Sequence, residues 1–383
     1  MTGGAIVGIG ELAPQRYSTG STTLSMLAEA SIRALQDSGL TPDAIDGLLV
    51  GPQVGETPQH VPATVAEYLG LRPSVANVVD LGGASAAGMA WRAAAAIAVG
   101  MCETVLCVLG NVNEKGVTRR SPNRNPIREF DVPFGASGAN TSYAFLASRH
   151  MAEYGTTSEQ LAVPVVAQRE NAQQNPSAVF YGSPLSVEDV LNSPMVVDPL
   201  RMLEIVMPCA GAAAFIVTSR ERARSFPHPV VSIAGAGEKV THRAMSSAPS
   251  LTTGPLKPAI EQAYAQSGTL PGDMDLLQLY DCYSIVLAIT MEDAGFCRPG
   301  QSGPWMAERD FTWRGDTPLN THGGQLSFGQ ADLAGSMSHI TEAVLQLRDR
   351  AGGRQVPDAC TALVTGNGAT LSEATALVLR RAD

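Results

Sequence analysis

The chain has 383 residues, 44% of them hydrophobic, and 26 Lys and Arg against 36 Asp and Glu give it a formal net charge of −10. That apolar content supports two α/β cores and excludes a disordered chain, while the acidic balance excludes sequence-independent nucleic-acid binding, which needs clustered cations to displace counterions. Its six cysteines show no C-x-x-C spacing, which predicts reduced thiols in a cytoplasmic protein rather than a disulfide framework or a zinc site.

The opening MTGGAIVGIG has no basic segment ahead of its apolar run, so it predicts a first strand over 5–10 and not a signal peptide. Gly8-Ile9-Gly10-Glu11-Leu12-Ala13 loosely matches a dinucleotide fingerprint, but Pro14 follows and no helix starts there to aim amides at a pyrophosphate. Apolar residues recurring at three and four predict helices over 23–38, 62–69 and 85–99. They alternate with Gly-flanked apolar runs at 47–51, 75–81 and 104–110 that predict buried strands. The Ala-rich stretch 84–100 is cut by Gly88 and carries Trp91 and Arg92, so no run reaches membrane-spanning length.

From Asn111 to Pro208 the pattern changes. Pro and Arg are frequent, helices are predicted near 142–153 and 158–173, and no strand is predicted. Within it, residues 115–128 hold five cations and no acid; this segment reads either as a solvated loop or as one facing a phosphate or another subunit. Strands return at 212–218, 230–235, 276–280, 362–366 and 374–379, with helices at 256–266, 284–294 and 331–348.

Residues 31–50 (SIRALQDSGLTPDAIDGLLV) and 259–280 (AIEQAYAQSGTLPGDMDLLQLY) echo each other: a helix, a Ser-Gly stop, a turn and a buried strand. The echo predicts a duplicated βαβ design with a first half over 1–225, containing the excursion at about 111–208, and a second over 226–383. Each copy is followed by a strand end opening into a helix, at Gly82-Gly83-Ala84-Ser85 and at Tyr280-Asp281-Cys282-Tyr283. Strand ends at the junction of such halves are where open α/β sheets place their sites.

Together with these halves, the segments Asn320-Thr321-His322-Gly323-Gly324-Gln325-Leu326-Ser327-Phe328-Gly329-Gln330 and Thr365-Gly366-Asn367-Gly368 resemble the thiolase superfamily, nearest its lipid-transfer-protein (sterol carrier protein x) type, from about Ala5 to Leu379. The resemblance implies a five-layer αβαβα fold, a homodimer built on the core sheets, and a coenzyme A thioester as substrate, with no covalently bound cofactor and no metal.

Thiolases use a cysteine nucleophile, a histidine base, a second cysteine and two oxyanion holes. The nucleophile's position matches Gly83, the histidine of the glycine-histidine-proline motif matches Gln330, and the second cysteine matches Val364. The fourth motif becomes Tyr280-Asp281-Cys282-Tyr283. An acyl-enzyme is therefore unavailable unless another cysteine reaches the site, and Cys282 is the one near a motif. Backbone amides at Gly83, Ala84 and Gly366 can still face a thioester oxygen, because an oxyanion hole needs no side chain.

A fold that stabilises an enolate without a nucleophile suits retro-aldol cleavage of a β-hydroxyacyl-CoA to a ketone or aldehyde plus a shorter acyl-CoA. Tyr280 and His322 are the expected proton-transfer residues, with Tyr283 lining the same pocket or packing. Asn367, Gln330 and Gly324 are expected to contact the acyl-CoA, and Asp281 to cap the helix that follows it. His60, His150, His228, His242 and His339 fall outside any motif. The chain is similar to thiolase-like aldolases of steroid side-chain degradation, which act with a small OB-fold and zinc-ribbon partner. Phe328 departs from the tyrosine expected there. A Claisen-type thiolase and a non-catalytic acyl-CoA-binding subunit remain the alternatives.

Overall fold

The computed structural model describes residues 3–52, 60–117, 127–136 and 138–382. Most of the basic segment 115–128 lies outside them. The strands are β1 (Gly4–Glu11), β2 (Gly47–Val50), β3 (Val75–Val78), β4 (Thr104–Asn111), β5 (Met195–Val197), β6 (Leu200–Arg201), β7 (Gly211–Ser219), β8 (Val230–Val240), β9 (Leu276–Gln278), β10 (Thr361–Gly368) and β11 (Glu373–Ala382). The helices are α1 (Thr23–Ser38), α2 (Val61–Leu69), α3 (Ser85–Ala98), α4 (Gly138–Tyr154), α5 (Ser158–Ala172), α6 (Val187–Asn192), α7 (Arg220–Ala223), α8 (Leu256–Ser267), α9 (Ser284–Asp293), α10 (Ser302–Ala307), α11 (Gly324–Ser327) and α12 (Gly335–Leu347). No described helix is long and apolar enough to cross a membrane.

Local chemistry explains the boundaries. Thr22 and Ser25 close a capping box at the start of α1, and Gly39 ends it in the left-handed conformation that glycine adopts without strain. Gly8 and Gly10 sit where a Cβ would collide with the α1 backbone at Ala34 and Ala30. These glycines of the apparent dinucleotide fingerprint therefore serve close helix–strand packing.

Nine strands form one sheet in the order β3-β2-β4-β7-β1-β8-β11-β10-β9. Outward from the centre, β1-β7-β4-β2 is mirrored by β8-β11-β10-β9, and the halves join through only the antiparallel pairs Ala5–Ser232 and Ile6–Val231. So narrow a seam lets the two halves face each other. The helices α3 and α12 fill the space between them, with Met89, Ala90, Ile340 and Val344 in one buried cluster with Phe215 of β7 and Leu377 of β11. A second cluster packs α1 on the outer face of the first half, and a third packs α8 and α9 on the outer face of the second. This is the αβαβα layering.

The topology corrects the sequence reading in three places. The excursion does contain strands, the small antiparallel β5–β6 pair. Helix α12 starts at Gly335, four residues later than expected, after a 3₁₀ turn at Asp332–Ala334. The third concerns the echo: the Gly82-Gly83 turn follows β3, whose counterpart is a single parallel bridge from Leu319 to Leu277. Its duplicate is thus Asn320–Gly324, while the segment at Tyr280 follows β9, the counterpart of β2. Both turns lead from an apolar run into a helix, so pattern alone does not tell which strand precedes which turn.

Candidate functional site

The ends of β3, β9 and β10 and the segment after Leu319 converge at one buried point. Gly82 has φ +52 and packs against Gly368, and Ser85 Oγ accepts the Leu81 N–H at 2.9 Å, so the turn into α3 is tight. A Cβ added to the next residue, Gly83, would collide with the Tyr280 phenol at Oη, Cζ and Cε2. The phenol occupies the space that a side chain at position 83 would need. Its own backbone N–H donates to Thr365 Oγ1 at 3.0 Å, and its Oη accepts from Gln330 Nε2 at 3.3 Å. Burial holds the Tyr280 hydroxyl well above the ordinary phenol range, and the neighbouring Cys282 adds to this. A phenol so placed stays protonated at neutral pH.

His322 and Tyr280 both stand against the His339 ring, with centroids 5.1 Å and 6.4 Å from it, and the turn that carries His322 is set by Asn320. That residue takes a positive φ of 46 and lays its amide against the end of β9: Oδ1 accepts from Leu279 N at 2.8 Å and Nδ2 donates to Leu279 O at 2.9 Å and to Gln168 Oε1 at 3.0 Å. Asn175 Nδ2 donates to the His322 carbonyl at 3.0 Å. His322 is 2% exposed, its ring lies edge-on to Phe328 and His339, and neither ring nitrogen has a partner among the described residues. Burial, then the facing His339 and Arg354, hold its pKa well below the ordinary value. A neutral imidazole with a free lone pair is a proton acceptor.

The remaining expected residues divide. Tyr283 donates to Asn140 Oδ1 at 2.5 Å and stacks on Tyr143 at 4.1 Å, so its hydroxyl is committed to α4. Asn367 Nδ2 donates to Tyr143 Oη at 2.8 Å, while its buried Oδ1 has no partner among the described residues. Gly366 packs against Gly83 and Ala84, where a Cβ would collide; the Ala84 N–H already donates to Leu81 O at 2.9 Å. Gly324 lies behind the site, where the absence of a side chain admits Gln168 and Asp281. Cys282 is buried, and burial pushes its thiol up to about 12, far from a thiolate.

Asp281 caps a different helix from the one expected. Helix α9 has no side-chain cap, and the Asp281 carboxylate instead accepts from Gln325 N at 2.9 Å and Leu326 N at 3.1 Å in α11. It thereby ties the end of β9 to the residues after His322. The sequence reading also missed Asn320, Asn175 and Tyr143 as residues that build the site. Asn320 alone left a signal, since it opens the Asn-Thr-His-Gly-Gly segment and asparagine tolerates left-handed backbone.

The model for a thiolase C-terminal domain matches residues 237–381. A steroid side-chain-cleaving aldolase of Thermomonospora curvata is 34% identical, covering 96% of each chain. The chain belongs to the thiolase superfamily. A 17-hydroxy-3-oxo-4-pregnene-20-carboxyl-CoA lyase of Mycobacterium tuberculosis is 33% identical over 90% of this thiolase-fold chain and 91% of its own. The solved Ltp2-ChsH2(DUF35) aldolase superposes with a TM-score of 0.89 at 32% identity, covering 99% of this chain and 97% of that one. Gly83 and Gln330, the residues that the motif resemblance matches to the thiolase nucleophile and base, here accommodate and hold a tyrosine.

Proposed function

We propose that this thiolase-fold protein is a carbon–carbon lyase that cleaves a β-hydroxyacyl-CoA with a bulky apolar, steroid-like side chain into a ketone or aldehyde and a shorter acyl-CoA. The observation that carries this reading is the Tyr280 ring lying where a nucleophile's side chain at position 83 would lie. An acyl-transfer route has no thiolate to start from; a retro-aldol route needs only a base, an acid and an enolate site.

In this reading the neutral His322 takes the proton of the β-hydroxyl, and the Cα–Cβ bond breaks to a carbonyl product and the acyl-CoA enolate. The Tyr280 phenol then gives its proton to the enolate carbon, and the His322 proton restores the phenol. In the turn against which Gly366 packs, the Leu81, Ala84 and Ser85 N–H groups are already bonded, so the Gly83 N–H is the amide offered to the enolate oxygen. Asn367 Oδ1, left unpartnered, is the further polar contact offered to substrate.

The chain acts as a homodimer through the β3 edge, and with a small second protein, which the resemblance implies to be of OB-fold and zinc-ribbon type. Support comes from the exposed Val78, Val99 and Met101 beside that edge and from the pairing of Ltp2 with ChsH2(DUF35) in the similar complex. Six unpaired cysteines fit a cytoplasmic setting.

The test is an assay of the co-purified native protein with a panel of β-hydroxyacyl-CoA esters. Ketone or aldehyde should appear in equal amount with shorter acyl-CoA, without added free CoA and after thiol alkylation. A strict requirement for free CoA, or loss of turnover on alkylation, would establish a thiolase instead.

A further inference from the structure

A catalytic base is ordinarily oriented by a third group bonded to its second ring nitrogen. Among the described residues His322 has no such group: neither nitrogen is bonded, and the ring lies edge-on to Phe328 and His339. Its direction is set by packing and by the backbone that carries it. On one side Asn175 holds the His322 carbonyl. On the other, the preceding residue is tied to a buried ion pair.

Thr321 is fully buried, and its hydroxyl uses all of its hydrogen-bonding capacity. It donates to Glu342 Oε1 at 2.6 Å and accepts from Gln278 Nε2 of β9 at 3.2 Å and from Gln346 Nε2 of α12 at 3.0 Å. Glu342, 2% exposed, also takes Gln346 Nε2 on Oε1 at 2.9 Å, while Arg354 Nε reaches both carboxylate oxygens at 3.0 and 3.1 Å and its Nη2 reaches Oε2 at 2.8 Å. The Gln346 amide is itself fixed, its Nε2 donating to the Arg354 carbonyl at 2.8 Å and its Oε1 accepting from Val356 N at 2.8 Å. Each group bonded to Glu342 is a donor, so the direction of the Thr321 O–H follows from geometry alone. The desolvation of a buried ion pair offsets much of its attraction, so this pair is better explained by what it holds in place than by net stability.

We propose that Glu342, locked by Arg354, is the positioning residue of His322: through the Thr321 hydroxyl it fixes the backbone from which the imidazole projects, in place of a direct bond to the ring. This rests on the lyase reading of the same site. Neither Thr321 nor Glu342 is assigned a contact with substrate, and a base misplaced by about 1 Å costs on the order of a hundredfold in rate, so the brace acts on kcat and not on KM.

The experiment compares the full-length wild type with Thr321→Val, which keeps the branched shape and loses the hydroxyl, and with Thr321→Ser, which restores it. In Thr321→Val, assayed well below its unfolding temperature, kcat should fall by at least about tenfold with KM within about threefold, and Thr321→Ser should recover most of the loss. A folded Thr321→Val with the kcat of the wild type, or a Thr321→Ser as impaired as Thr321→Val, overturns the inference. Crystal structures of the wild type and Thr321→Val supply a reading without turnover: the His322 ring should leave its edge-on place against His339, and an unmoved ring overturns the inference even where no lyase activity is found. A displaced ring in a protein without lyase activity would uphold the brace and reject the lyase reading, so the two failures are distinguishable. Where Thr321→Val does not fold, Arg354→Lys, which keeps the charge and loses the fork, is read by the same kinetics and the same ring position.

Discussion

A single glycine-to-tyrosine relation sets the chemistry at the residue scale. Replacing Tyr280 by Phe removes the proton donor but keeps the ring that fills the space beside Gly83, so the fold should be retained while kcat falls about a hundredfold or more. Circular dichroism and steady-state kinetics check the two halves of that statement, and unchanged turnover would leave a non-catalytic acyl-CoA-binding subunit as the better reading. The converse change, Gly83→Cys, should not restore acyl transfer. The new side chain meets the Tyr280 ring, and overpacking of this kind costs about 1–3 kcal/mol. Lower thermal stability and no thioester adduct by mass spectrometry are expected. The pH dependence follows from the two shifts. His322 is held below its ordinary value and Tyr280 above its own, and the proposed mechanism requires the first neutral and the second protonated. Activity of the wild type should therefore be level between roughly pH 6.5 and pH 10, the ordinary values of the two groups, and decline only outside that window.

At the scale of elements, the site depends on how the end of β9 is joined to the segment after Leu319. Asn320 makes that join by imitating a neighbouring strand, satisfying both the N–H and the carbonyl of Leu279. Asn320→Ala leaves two buried backbone groups unpaired and places alanine at a positive φ, which should destabilise the protein by about 2 kcal/mol or more in urea unfolding. Activity should fall with it, because His322 is carried on the same turn. The elements themselves were legible in the sequence. All nine predicted strands form the sheet, and α1 spans 23–38 as its periodicity indicates. His339 was not legible, for a physical reason. Helix α12 lies between the two halves of the sheet and is buried on nearly every side, so Ser338, His339, Thr341 and Glu342 are interior although the apolar stripe Met337, Ile340, Val344 and Leu347 marks only one face as buried. A polar residue in such a helix is defined by partners far away in the chain, and the Asp281 carboxylate is one that no local pattern reveals.

Over the whole molecule, duplication explains why the site is where it is and where a second copy would attach. The two halves mirror each other outward from β1 and β8, but they end differently: β9 meets only the one-residue bridge at Leu319, whereas β2 continues into β3. The missing strand in the second half frees the Asn320–Gly324 segment to turn inward and carry His322. The extra strand in the first half leaves an edge that, among the described residues, has a neighbour on one side only. Asn77 and Val78 on that edge are exposed, with Val99 and Met101 beside them. An unpaired edge flanked by apolar side chains favours pairing with another strand, and two-fold symmetry makes the same edge of a second copy the natural partner. Val78→Lys places a charge on the strand at the edge, the device by which monomeric proteins block such pairing. By sedimentation the wild type should run as a dimer and Val78→Lys as a monomer. A wild type that is monomeric at micromolar concentration would remove the dimer from this account and leave the edge as a docking place for the small partner protein. The position of Tyr280 beside Gly83 would be untouched, since both residues belong to one chain.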